Sequence, residues 1–195
     1  LPENKFIFCS FNNTYKIQPE IFNIWMDILN SKSDSILWLL DTEDIAKENL
    51  IKVAESRGVN KERIIFSKKI TMADHIQRQM CADLFLDTFP ICAHTTASDA
   101  LWVGLPLVTL AGKSMVSRVA GSILKNIGME ELITYSLDEY KNKVLQLANN
   151  KKELQETKNK IIKNRFSTSL FDTEGFTKNL EDEYEKLFLN FKQSR

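Results

Sequence analysis

The chain has 195 residues, enough for one sizeable domain whose core needs no disulfide or metal staple. Lys and Arg together number 26, as do Asp and Glu, so the net charge is zero and gives no general attraction to nucleic acid or an anionic membrane. Cys9, Cys81 and Cys92 are odd in number and widely spaced, which reads as free thiols in a reducing cytoplasm rather than a disulfide framework or a metal site.

The elements follow in chain order. Short apolar runs rich in β-branched and aromatic residues occur at 6–11 (FIFCSF), 35–40 (SILWLL), 63–67 (RIIFS), 82–89 (ADLFLDTF) and 106–112 (PLVTLAG). Helical spacing fills the intervals at 19–31, 42–58, 72–80, 96–104 and 114–128. Near-continuous apolar strands alternating with helices predict an α/β fold, a Rossmann-like parallel sheet covered on both faces. From Ser136 the strands stop, and two long helices are expected. One covers 137–165 with Leu137, Tyr140, Val144 and Leu147 on one face; the other covers 173–191 with Phe176, Leu180, Tyr184, Leu187 and Phe191. Residues 1–135 thus read as a Rossmann-like lobe and 136–195 as helices packed on that lobe or a partner, within one structural domain. The charged run NNKKELQETKNK reads as solvated helix face. No apolar run approaches the roughly 20 residues that span a bilayer, and no signal peptide precedes the first strand. The first residue is Leu1 rather than Met, so the chain is expected to be cut from something longer.

In an open parallel sheet, ligands settle beyond the carboxyl ends of the strands where connections diverge to the two faces. Two loops carry polar groups there: SFNNTYKIQPE after the first strand and TFPICAHTTASD after the fourth. A helix N-terminus offers unpaired amides and about half a positive charge. Thr95 and Thr96 add hydroxyls, and Lys16 is the only full positive charge in either loop, so together they can cradle a pyrophosphate. The competing account is an ordinary helix start with Thr96 as N-cap and Asp99 as its capping-box partner. No GxGxxG or GxxxxGK[ST] motif is present.

Trp25, Trp38 and Trp102 fall within apolar patterns and are expected in the core. Asp83 and Asp87 share a strand face about 13 Å apart, too far for paired-acid glycosidase chemistry. Asp87, at the strand end, is expected to brace the loops. No serine lies in a nucleophile elbow, so hydrolase chemistry has no support.

The runs FNNTYKI, RIIFS and ADLFLDTFP…AHTTASDALWVGLPLVTLAGKSMVSRVAGSIL resemble the C-terminal catalytic lobe of protein O-GlcNAc transferases and their bacterial relatives. This is an inverting, metal-independent glycosyltransferase family that also includes Spindly-type O-fucosyltransferases. The resemblance covers about Phe6 to Phe191. It implies the GT-B fold of two Rossmann-like lobes, of which this chain is the nucleotide-binding one, and tetratricopeptide repeats ahead of them. Lys16 falls on the essential lysine that stabilises the departing nucleoside diphosphate. Asn13 falls where the family has a nucleotide-contacting glutamine. His94, Thr95 and Thr96 match the diphosphate-binding HTT, and Asp99 the acid that holds ribose hydroxyls. His75 and Arg78 match residues flanking the uracil and ribose, with backbone groups of Ile70 and Thr71 reading the base edge. Met72 replaces a family lysine and so removes a charge.

The resemblance implies a donor-binding half that moves a sugar, GlcNAc from UDP-GlcNAc, to Ser or Thr hydroxyls of proteins, without a metal cofactor and with no activity as an isolated lobe. A GDP-fucose or UDP-glucose donor is an alternative, though retention of His75 and His94 favours the uridine side. A catalytically dead scaffold is a second alternative, kept open by Met72. The remaining partners implied are the protein acceptor, the missing N-terminal lobe and the repeats.

Overall fold

The computed structural model describes residues 1–193. In chain order the elements are β1 (Phe6–Ser10), α1 (Pro19–Ser31), β2 (Ser35–Leu40), α2 (Asp44–Ser56), β3 (Ile64–Ser67), α3 (Met72–Gln79) and β4 (Leu84–Leu86). They continue with α4 (Thr95–Trp102), β5 (Leu107–Leu110), α5 (Val119–Asn126), β6 (Ile133–Thr134), α6 (Leu137–Asn149), α7 (Lys151–Asn164) and α8 (Thr173–Gln193). The six strands form one sheet in the order β3-β2-β1-β4-β5-β6, all neighbours parallel. The α/β fold predicted from the alternation is the one observed. Strand β2 explains why the runs look continuous rather than alternating: helices cover both sheet faces, so Ile36, Leu37, Trp38 and Leu39 are all buried. The order reverses at β1, which pairs with β2 on one side and β4 on the other. The loops leaving β1 and β4 therefore face each other across the switch point.

Helix α1 starts with Pro19, whose fixed φ suits the first helical turn. It buries Ile21, Phe22, Trp25, Met26, Ile28 and Leu29 on one face. The Trp25 indole donates to the Tyr140 hydroxyl (3.2 Å), and that hydroxyl donates to the Asp87 carbonyl (3.1 Å). Burying an aromatic with a polar tip requires such partners. This relay ties α1 and α6 to the loop after β4.

Just beyond helix α4 stands Gly104, whose φ of 80° belongs to the left-handed region. A Cβ added there would meet Ile162 Cγ1 of α7 at 2.6 Å. Gly104→Ala is expected to lower stability by about 2 kcal/mol through strain and overpacking together. Urea denaturation checks this, and an unchanged midpoint would contradict the close helix contact.

The structure departs from the sequence reading at three places. Strand β6 was not expected; two residues are too short to show a period, and the pairing Thr109↔Ile133 with the Thr134 hydroxyl on the Thr109 carbonyl (2.8 Å) defines it. The single helix expected over 137–165 is two. Asn150 ends α6 in a non-helical conformation (φ −118°, ψ 89°), and its side chain accepts from the Glu153 amide to cap α7. The chain thus ends in three helices rather than two long ones. Trp102 is not core: at the last turn of α4 it is 41% exposed, edge-on to Phe171 and stacked under the Arg165 guanidinium. For the last helix, of the two packings expected, on the lobe or on a partner, the first is absent: none of α8 is buried. Phe176, Leu180, Tyr184 and Leu187 are all exposed, so this stripe does not pack on the lobe's own body.

Candidate functional site

The two loops predicted to meet do so. After β1, a short 3₁₀ turn at Thr14–Lys16 carries Lys16 toward the loop beyond β4, where its Nζ donates to the Cys92 carbonyl at 3.0 Å. Two of its three N–H donors remain for a ligand. Opposite it, α4 begins at Thr95, one residue earlier than expected. The amides of Ala97 and Ser98 both return to the His94 carbonyl (3.0 and 3.3 Å). Among the described residues, nothing accepts from the consecutive amides of His94, Thr95 and Thr96. Three unclaimed amides in a row at a helix start form an anion-binding concavity. His94 adds a second unclaimed group: its Nε2 is buried with no hydrogen-bond partner. A buried polar nitrogen without a partner is costly unless a ligand supplies one.

The capping-box reading does not hold. The N-cap position is occupied by His94, without a side-chain cap bond, and the Thr96 hydroxyl donates to Asn12 Oδ1 at 2.7 Å. The Thr95 side chain is exposed and makes no hydrogen bond, so of the two hydroxyls it is the one available to a ligand. Asp99, one turn into α4, is half-buried, and burial raises its carboxyl above the usual range.

Asp87 braces the loops as anticipated. It is buried, and its Oδ1 accepts from the amides of Thr88 and Ala93 (2.7 Å each) and from Asn12 Nδ2 (3.2 Å), while Oδ2 accepts from the Thr109 hydroxyl (2.6 Å). Asp83, by contrast, lies before β4, accepting from the Ile7 amide and pairing with Lys158 at the far end of the strand. Burial pushes the Asp87 carboxyl up to about 6 despite its four donors. The unfolded chain binds that proton less tightly, with a pKa near 3.9. Stability from this group is therefore fully present below about pH 4 and declines as pH rises through about 6. The stability of the parent relative to Asp87→Asn is expected to fall by an amount on the order of 3 kcal/mol between pH 4 and 7. Urea unfolding of both at each pH measures it; a difference that does not change with pH would contradict the shift.

The third group lies beyond β3. Thr71 caps α3, accepting from the Asp74 amide, and the Ile70 amide and carbonyl make no hydrogen bond among the described residues. Met72 opens α3 and is 67% exposed. His75 and Arg78 are not the solvated pair of an ordinary surface helix. Arg78 Nε donates to His75 Nδ1 (3.0 Å) and a terminal nitrogen donates to the Lys68 carbonyl (2.7 Å), while the guanidinium stacks on Phe11 at 4.9 Å. The His75 ring meets Phe11 edge-on at 5.2 Å. Burial, and then the neighbouring Arg78 charge, push the His75 pKa down. With Nδ1 accepting, neutral His75 carries its proton on Nε2 and is a donor there. Asn13, between this platform and Lys16, is exposed with no side-chain bond.

The sequence reading missed Phe11, Asn12, Thr88 and Thr109. Asn12 was detectable as a polar residue closing an apolar run, a position where burial demands a partner. The site is an open shelf. A cavity of about 460 Å³ above Phe6 lies at the opposite end of the sheet. Four of the charges lining it are already paired, Lys32 with Asp34 and Lys158 with Asp83.

Comparison with known proteins shows the family. A probable UDP-N-acetylglucosamine–peptide N-acetylglucosaminyltransferase of Arabidopsis thaliana is 42% identical over 190 residues, which is 96% of this chain and 19% of the relative. A UDP-N-acetylglucosamine–peptide N-acetylglucosaminyltransferase of Caenorhabditis elegans is 37% identical over 93% of this chain and 16% of its own length. The chain thus spans about a fifth of the relatives it matches. The solved structure of a Thermobaculum terrenum O-GlcNAc transferase variant superposes with a TM-score of 0.88 at 31% identity, covering 93% of this chain and 36% of that one. The sequence pattern of glycosyl transferase family 41 matches residues 1–180, and the chain belongs to that family.

Proposed function

We propose that this chain is the donor-binding half of an inverting glycosyltransferase that moves GlcNAc from UDP-GlcNAc to Ser or Thr hydroxyls of proteins in the cytoplasm. The observation that carries the reading is the cradle: three unclaimed amides at the start of α4, facing the Lys16 ammonium across the switch point. Pre-aimed donors of this kind stabilise negative charge as it develops on a leaving diphosphate, work that elsewhere falls to a divalent cation. In this reading Lys16 is the catalytic group, and Thr95, Thr96 and His94 hold the phosphates. Asp99 accepts from the ribose hydroxyls. His75 and Arg78 flank the base, Ile70 and Thr71 read its edge through the backbone, and Asn13 and Met72 line the approach.

The acceptor side belongs to a second lobe of the same polypeptide, with tetratricopeptide repeats ahead of it. Two facts support a missing partner. The chain covers 36% of the bacterial transferase it superposes on, and α8 presents an unburied apolar stripe. A contiguous apolar stripe left exposed along a helix marks a surface that a partner covers.

Transfer tests the proposal. The two-lobed protein is expected to label a Ser/Thr peptide from UDP-GlcNAc, and this chain alone is not. Full transfer by the isolated chain would refute the division of labour, and transfer from GDP-fucose in place of UDP-GlcNAc would reassign the donor.

A further inference from the structure

The Asn12 side chain is 2% exposed, so it cannot line the shelf, yet it touches both halves of it. Its Nδ2 donates to Asp87 Oδ1 (3.2 Å) and to the Thr88 hydroxyl oxygen (2.8 Å), and its Oδ1 accepts from the Thr96 hydroxyl (2.7 Å). The amide can have only this orientation. The Thr88 hydroxyl spends its own proton on the Ile91 carbonyl (2.7 Å), so toward Asn12 it can only accept. The Thr96 proton must then point at Asn12 Oδ1.

We propose that Asn12 is a positioning residue for the donor: it clips the N-terminus of α4 to the loop that carries Lys16. The inference rests on the donor-site reading above. Asn12 stands four residues before Lys16, and Thr96 supplies one of the three unclaimed amides. The same Asp87 oxygen that holds Asn12 also holds the Ala93 amide, next to His94. Both sides of the cradle are therefore set against one carboxylate, which the Thr109 hydroxyl ties to β5. Through this clip the Thr96 hydroxyl is committed to the protein, and Thr96 serves a phosphate through its backbone N–H.

A double-mutant cycle on this chain tests the clip, with UDP as the probe and calorimetry as the readout, at a temperature where every variant is folded. Asn12→Ala and Thr96→Val are each expected to weaken UDP binding about 5- to 30-fold, and the double variant no more than the worse single, because the Thr96–Asn12 bond that Thr96→Val removes is already lost in Asn12→Ala. Thr96→Ser, which restores the hydroxyl, should recover most of the loss. Amide hydrogen exchange without ligand gives a second readout: each single variant should speed exchange in both 12–17 and 93–98. Additive losses, or Asn12→Ala binding UDP like the parent, would overturn the clip. A parent chain that binds no nucleotide would instead sink the donor-site reading. In that case unchanged exchange at 93–98 in Asn12→Ala would still refute the clip, and faster exchange in both loops would sustain it.

Discussion

In the two-lobed protein, Lys16→Ala is expected to lower kcat/KM for transfer by about 10²- to 10³-fold, the usual effect of removing one pre-aimed donor from a site where negative charge develops. Lys16 is the only full positive charge in the loops beyond β1 and β4, and its ammonium already stands 3.0 Å from the Cys92 carbonyl. It is held there by a 3₁₀ turn, and among the described residues no ion pair competes with a phosphate for it. The amides of α4 would remain in the variant, so nucleotide binding should weaken more than it disappears. Steady-state kinetics measure the loss. A decrease of less than about tenfold would mean that the amides alone carry the leaving-group charge.

The second large effect concerns stability. Asp87→Ala removes the acceptor for four donors at once: the Thr88 and Ala93 amides, the Asn12 side-chain amide and the Thr109 hydroxyl. Each buried donor left unpaired costs about 1–3 kcal/mol, and shared relaxation makes the sum less than additive. A loss of about 4 kcal/mol is expected from urea unfolding. Asp87→Asn should be far milder, since one carbonyl oxygen at the Oδ1 position can keep three of the four donors. Equal losses in the two variants would show that the carboxylate's charge, rather than its Oδ1 lone pairs, organises the loops.

Much of the fold was legible because buried parallel strands leave continuous apolar runs and their helices leave striped ones. Helix α1 and strand β2 were read with the bounds they have, since both lie wholly within strong patterns. The failures share a cause: a local choice that hydropathy does not encode. Asn150 breaks a helix by capping the next one, and β6 is defined by pairing rather than by pattern. The Trp102 side chain shows the same limit, because an eight-residue helix has too few turns to say which flank meets solvent. At the site, the polar cluster HTT and Lys16 were visible as residues without an obvious structural task. The groups that position them were not. Asn12, Thr88 and Thr109 lie up to 97 residues apart in sequence, and only the crossing of β1, β4 and β5 brings them to one carboxylate.

The most direct measurement is calorimetric titration of this chain with UDP and with GDP, side by side, in the parent and in Lys16→Ala. The account predicts that the parent binds UDP in preference to GDP and that the variant binds it markedly more weakly. Equal or stronger binding of GDP, or no binding of either nucleotide to the parent at millimolar concentration, would contradict it.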